Sequence, residues 1–199
     1  VFDRHDFVLD FCAASPRLHP TIPVVPPATG EQPEPEALLG ACRERGVRAV
    51  RAWPAAHGFP FDQYAMGRLL AELERRRMPV IVSAMGVQDH PWLHAPPWRD
   101  LRDAALAFPK LPVIVHYTGM LQGRSLFPLL ETCPNVLADL TCVSFQYVED
   151  VAARFGSGVR ADALRGHADR PGHTHRPARA RHRRKTDRGG YHDCVPSLG

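Results

Sequence analysis

Four histidine settings, one arginine and a few strand-end polar residues hold most of the chemistry this sequence could perform. His116 follows Val113-Ile-Val115 and precedes Thr118-Gly119. A strand there would deliver an imidazole to its C-terminal end, where it can act as a base or a ligand. On spacing alone, a histidine satisfied by backbone partners is the commoner outcome. His57 lies in Arg51-Ala-Trp-Pro-Ala-Ala-His-Gly-Phe-Pro60, which reads as a loop stiffened by two prolines. A hydrogen-bonding loop residue is its simpler role. His90 and His94 flank Trp92 at i, i+4 spacing, which suits a metal only on a helix. Pro91, Pro96 and Pro97 argue against one, so this segment reads as a lid or rim loop. His173-Thr-His175 has the spacing that places two imidazoles on one face of a strand. Pro171, Gly172 and Pro177 leave it no strand to stand on.

The elements that must position these residues are legible as apolar runs at 19–25, 47–53, 79–84, 112–117 and 136–141. Each run is continuous rather than alternating, as expected of parallel strands covered on both faces. Their starts lie 24 to 33 residues apart, the length of a βα unit. Helical patterns fill the gaps. Residues 35–45 place Leu38, Leu39 and Cys42 on one face and stop at Gly46. Asp62 can cap a helix that turns Met66, Leu69, Leu70 and Leu73 inward. Patterns at 98–108, 124–132 and 145–155 complete the set.

Strict alternation allows an open doubly wound sheet or a (β/α) barrel. No Gly-x-Gly-x-x-Gly follows a strand and no Gly-x-x-x-x-Gly-Lys occurs, so a barrel is preferred. A whole barrel has eight strands, and five are visible. The expected fold is therefore α/β: a partial barrel of about five parallel strands over residues 1–156, followed by an irregular basic tail over 157–199. Function in a barrel sits at the C-terminal strand ends. That rule selects Arg51, Trp53 and His57, then Ser83, then His116 and Tyr117, then Asp139 and Thr141.

Composition bounds the class. The chain has 199 residues, 44% hydrophobic and 23% charged, the profile of an ordinary globular protein. No apolar run is long enough to cross a bilayer, and the first residues lack the pattern of a signal peptide. The absence of a starting Met points to a chain that begins inside a longer parent. Five scattered cysteines without a Cys-x-x-Cys pair suit reduced thiols in a cytoplasm, as small packing residues. The formal charge of +4 is uneven. Residues 157–199 hold ten Lys or Arg against four Asp, and the remainder holds 15 basic against 17 acidic residues.

The phrases Gly46-Val-Arg-Ala-Val-Arg-Ala-Trp-Pro54, Met78-Pro-Val-Ile-Val82 and Trp98-Arg-Asp-Leu101 occur in order along the chain. Phe108-Pro-Lys-Leu-Pro-Val-Ile-Val-His116 and Pro134-Asn-Val-Leu-Ala-Asp-Leu140 follow them. Together, over residues 1–156, they resemble the amidohydrolase-related family, TIM-barrel metal-dependent hydrolases that include aminocarboxymuconate semialdehyde decarboxylase-like enzymes. The resemblance implies hydrolysis or decarboxylation of a small organic acid or amide, and a divalent, zinc-like metal. It also implies a His-x-His on a first strand that is missing here, a middle-strand ligand where this chain has Ser83, and a histidine that His116 matches. The aspartate expected after Phe155-Gly156 does not occur. Read one nucleotide later, the codons available to Val159–Gly172 permit an apolar strand and Phe-Gly, so the tail is expected to be either disordered or out of frame.

The first expectation is thus an amidohydrolase-like protein, weakly active or inactive as this chain alone. His116 would be general base or ligand, and Arg51 or His57 would orient the substrate. Its partners would be a small-molecule substrate and, in a homo-oligomer, further copies of the chain, with no membrane. A barrel remnant without a site is the second expectation. The third is a polyanion or nucleic-acid binder acting through 179–188, although one tail aromatic, Tyr191, gives base stacking no support.

Overall fold

A computed structural model describes residues 6–83, 98–116, 123–140 and 145–155. Five parallel strands form one sheet: β1 (Thr21–Pro23), β2 (Ala49–Ala52), β3 (Val80–Ser83), β4 (Val113–His116) and β5 (Val136–Ala138). Helix α1 (Asp6–Ala13) precedes the sheet, and α2 (Pro35–Glu44) joins β1 to β2. A one-turn α3 (Pro54–His57) and a long α4 (Gln63–Arg76) lead to β3. Helices α5 (Trp98–Ala107), α6 (Gly123–Thr132) and α7 (Phe145–Phe155) follow β3, β4 and β5 in turn. Every expected strand and helix is present. The strands are shorter than the apolar runs that announced them, because a run also includes the buried residues that lead into and out of the ladder.

The strand order is β1-β2-β3-β4-β5, with every neighbour parallel. A doubly wound sheet reverses its order at a switch point, and this one does not. Sequential order with crossovers of one hand puts the helices on one face and leaves the other facing inward, the construction of a (β/α) barrel.

The register separates the two faces residue by residue. Val50, Val80, Val113 and Val136 form one row, and Ala52, Val82, Val115 and Ala138 the next. Val50, Ala52, Val80, Val82, Val113 and Val115 are completely buried, in one cluster with Leu38, Leu39, Met66, Leu69, Leu70 and Leu101. The other face carries Arg51, Ile81, Ser83, Ile114, His116 and Leu137.

Local chemistry fixes the helix ends. Asp62 is the N-cap of α4, its Oδ1 accepting from Ala65 N at 2.8 Å. Asn135 is buried and its amide donates to the carbonyls of Ala105 (3.1 Å), Phe108 (3.0 Å) and Leu111 (2.9 Å). The last carbonyls of a helix have no partner of their own, so one side chain leading into β5 closes α5 and the turn before β4. Cys42 and Cys133 are buried free thiols and Cys12 is half-buried, as packing residues would be. Among the described residues no helix is long and apolar enough to cross a membrane.

Replacing Asn135 by Ala strands buried carbonyls in that turn and should cost about 2–4 kcal/mol. Urea unfolding of the variant measures it. A loss comparable to that of a surface substitution would show that the three bonds contribute little.

Candidate active site

The site begins with the register. Ser83 pairs with His116, and Asp139 N donates to Val115 O at 2.8 Å, carrying the β4–β5 ladder one residue further. Side chains two residues apart share a face of a strand. Ser83, His116 and Asp139 therefore stand side by side on three adjacent strands, at their C-terminal ends. Arg51 pairs with Ile81, Ile81 with Ile114, and Ile114 with Leu137, which puts Arg51 one layer beneath that row on the same face.

His116 Nε2 lies 3.4 Å from Asp139 Oδ2. The imidazole is 25% exposed and the carboxylate 31%, so both reach solvent while much of each is covered. Burial, first, pushes the His116 imidazole below the ordinary histidine range; the Arg51 charge pushes it the same way, and Asp139 opposes both. The combined result is a neutral imidazole at pH 7, held beside a carboxylate that can orient it and stabilise the imidazolium formed when it accepts a proton. Ser83 is buried, 7% exposed, in the same row.

Arg51 is half-buried, its guanidinium carbon 5.6 Å from the centre of the Trp53 ring. Among the described residues its buried Nε has no hydrogen-bond partner, whereas a guanidinium normally uses its donors in forked pairs. His57 ends α3, the one-turn helix that starts at Pro54 and stops at Gly58 (φ 69°), and so is helical where a loop was expected. Its ring lies 5.7 Å from Trp53 and 6.4 Å from Phe59, and it is exposed. Arg51, Trp53 and His57 thus form a chain of ring and cation contacts that leads outward, while Arg51 also acts on His116. Residues 84–97 with His90 and His94, Tyr117 to Gly119, Thr141 and the whole of 157–199 with His173 and His175 lie outside the described residues.

Sequence reasoning placed Asp139 at a strand end but gave it no role beside His116. The signal was present: both residues end consecutive parallel strands. Cys42, by contrast, is no nucleophile, for burial pushes its thiol up to about 11.

A hydrolytic zinc-like site needs about three protein ligands and an open position. Among the described residues no group of three His, Cys, Asp or Glu converges. His116 and Asp139 meet at 3.4 Å, and the Arg51 charge acts on the same imidazole. The described residues therefore do not make up a metal centre by themselves.

The fold has a counterpart among solved structures. An uncharacterized TIM-barrel protein, Bb4693, from Bordetella bronchiseptica matches with a TM-score of 0.58 and 18% identity, over 76% of this chain and 55% of that one. A dihydroorotase from Campylobacter jejuni gives a TM-score of 0.41 and 16% identity, over 60% of this chain and 36% of that one. The chain thus spans about half the length, or less, of the structures it matches. No protein-family model and no curated protein matches it. At this identity the Bordetella structure establishes the architecture alone: residues 6–155 build part of a TIM barrel, with Ser83, His116 and Asp139 at the end where such barrels carry their sites.

The electrostatics around His116 have a measurable sign. Its imidazole should titrate below about 6.5, the value of an unfolded histidine. The unfolded chain then binds the extra proton as pH falls below about 6.5, so the stability linked to this group is complete above that pH and lost below it. Arg51→Gln should move the midpoint upward, and Asp139→Asn downward, in an NMR titration of the His116 ring. Unmoved midpoints in both variants would disprove the coupling.

Proposed function

We propose that this chain is amidohydrolase-like, and that the activity of its parent is hydrolysis or decarboxylation of a small organic acid or amide. His116 serves as general base, Asp139 orients it, and Arg51 binds the acid's carboxylate. The observation that carries the reading is the His116 imidazole held 3.4 Å from Asp139 at a barrel strand end, where burial and Arg51 lower its pKa. A base must be unprotonated at working pH and within reach of the proton it takes, and burial together with Arg51 meets the first condition. Arg51, whose buried Nε has no hydrogen-bond partner among the described residues, offers a donor beside the base. The guanidinium fork matches a carboxylate bidentately. In this reading His57, exposed and tilted against Trp53 with ring centres 5.7 Å apart, borders the entrance rather than touching the reacting bond. A divalent metal belongs to this reading only through ligands beyond the described residues.

A barrel remnant that binds without turning over is the second reading. The observation favouring it is that β1 and β5, at the ends of the order β1-β2-β3-β4-β5, each pair on one side among the described residues. Binding and turnover separate the two.

Small mono- and dicarboxylic acids should perturb the His116 resonance in the whole chain and cease to do so in Arg51→Gln. Where amides or lactones of such acids are turned over, His116→Gln should lower kcat by about 10²–10⁴-fold, the usual contribution of a general base. Carboxylates that leave His116 undisturbed would rule out the site. Binding with no turnover of any amide, lactone or carboxylate would select the remnant.

A further inference from the structure

A second concentration of charge lies at the opposite, N-terminal end of the strands. Helices α2 and α4 finish there with the same backbone device. Val47 N donates to Cys42 O (2.9 Å) and Gly46 N to Arg43 O (3.2 Å) after α2. Met78 N donates to Leu73 O (2.9 Å) and Arg77 N to Glu74 O (3.0 Å) after α4. Both are Schellman endings, which need one residue in the left-handed conformation. In α2 that residue is Gly46, with φ 75°. In α4 it is Arg77, with φ 52°, where a side chain is strained and glycine is not.

The two endings border a cavity of about 670 Å³ lined by Arg43, Arg48, Arg75, Arg76 and Arg77. Its other lining residues are Gly46, Val47 and Met78, so the wall has neither a carboxylate nor an aromatic ring. Glu72 pairs with Arg75 (2.6 Å) and Arg76 (2.5 Å) from outside it. Arg43, Arg48 and Arg77 make no ion pair among the described residues. Basic residues in the last turn of a helix complement its dipole, which accounts for Arg43, Arg75 and Arg76. It does not account for Arg48, which leads into β2, or for Arg77, kept beyond the helix end in a conformation that its counterpart gives to glycine.

We propose that this cavity binds a compact polyphosphate anion. Guanidinium groups gathered around one space repel until an anion neutralises them, and their planar forks match phosphate oxygens in pairs. Without an aromatic ring in the wall there is nothing for a nucleobase to stack on, which favours the phosphate chain itself over a nucleotide. Strain retained at one residue beside a ligand cavity is a recognised mark of a binding role. This site is independent of His116 and its row.

Calorimetric titration of the whole chain with inorganic triphosphate at low salt tests the assignment. Saturable binding that weakens as salt is added is expected. Arg48→Gln and Arg77→Gly should each weaken it about tenfold, the loss of a charged hydrogen-bonding partner. Without the anion, Arg77→Gly should raise Tm, since glycine relieves the left-handed strain. Three results would overturn the proposal. One is the absence of saturable binding. Another is unchanged affinity in both variants, which would assign the anion to the basic residues of 157–199. The third is a lowered Tm in Arg77→Gly, which would make Arg77 a residue kept for stability.

Discussion

The register of the parallel ladder is the constraint on which everything else in this chain depends. Strand side chains alternate with a period of two, so one pairing decision assigns every residue to the helix side or the inner side. With Ser83 opposite His116, the valines of β3 and β4 all face the helices and are completely buried. A slip of one residue in β4 would bring Val115 to the row of Ser83 and Asp139 and drive the His116 imidazole onto the helix-covered face. Burying an imidazole there without partners, and exposing valines in exchange, would cost several kcal/mol. The hydrophobic effect on one face therefore enforces the chemistry of the other.

That ladder is short, and its ends are held by loops rather than by length. Asn135 illustrates how: it leads into β5, yet its amide bonds the end of α5 and the turn into β4. The position of Asp139, four residues further, is thereby tied to the strand that carries His116. Asp62 does the corresponding work at the start of α4, the helix that leads from β2 to β3 and packs against α2 and α5. A geometry of 3.4 Å between His116 and Asp139 rests on these closures, because each side chain is delivered by a strand of only three or four residues.

Much of this was legible in the amino-acid sequence, and the limits have physical causes. Val113-Ile-Val-His116 announces a buried strand that ends in an imidazole, and the βα spacing announces parallel pairing, because both signals are local. The neighbourhood of His116 is not local. Asp139 lies 23 residues away and Arg51 lies 65 away, and only register and strand order bring them together. His57 was misread for a different reason. Two prolines suggested a rigid loop, but Pro54 stands at the first position of a helix, where it costs nothing, and Gly58 takes the left-handed stop. Arg77 left no trace at all, since nothing in Glu74-Arg-Arg-Arg77 marks which arginine will adopt a positive φ.

The protonation of His116 is set first by burial, with Arg51 acting in the same direction and Asp139 opposing both. Asp139 alone would stabilise the imidazolium and leave His116 charged, a poor base. Burial alone would keep it neutral but give the proton it accepts no support. Arg51 adds a positive charge on the inner face, which acts in the same direction as burial without removing the carboxylate that steadies the charged form. Placing a carboxylate-bearing molecule against Arg51 would neutralise that charge and raise the basicity of His116 at the moment of binding. This coupling follows from the inner-face order of Arg51 below and Ser83, His116 and Asp139 above, which a five-stranded sheet already contains.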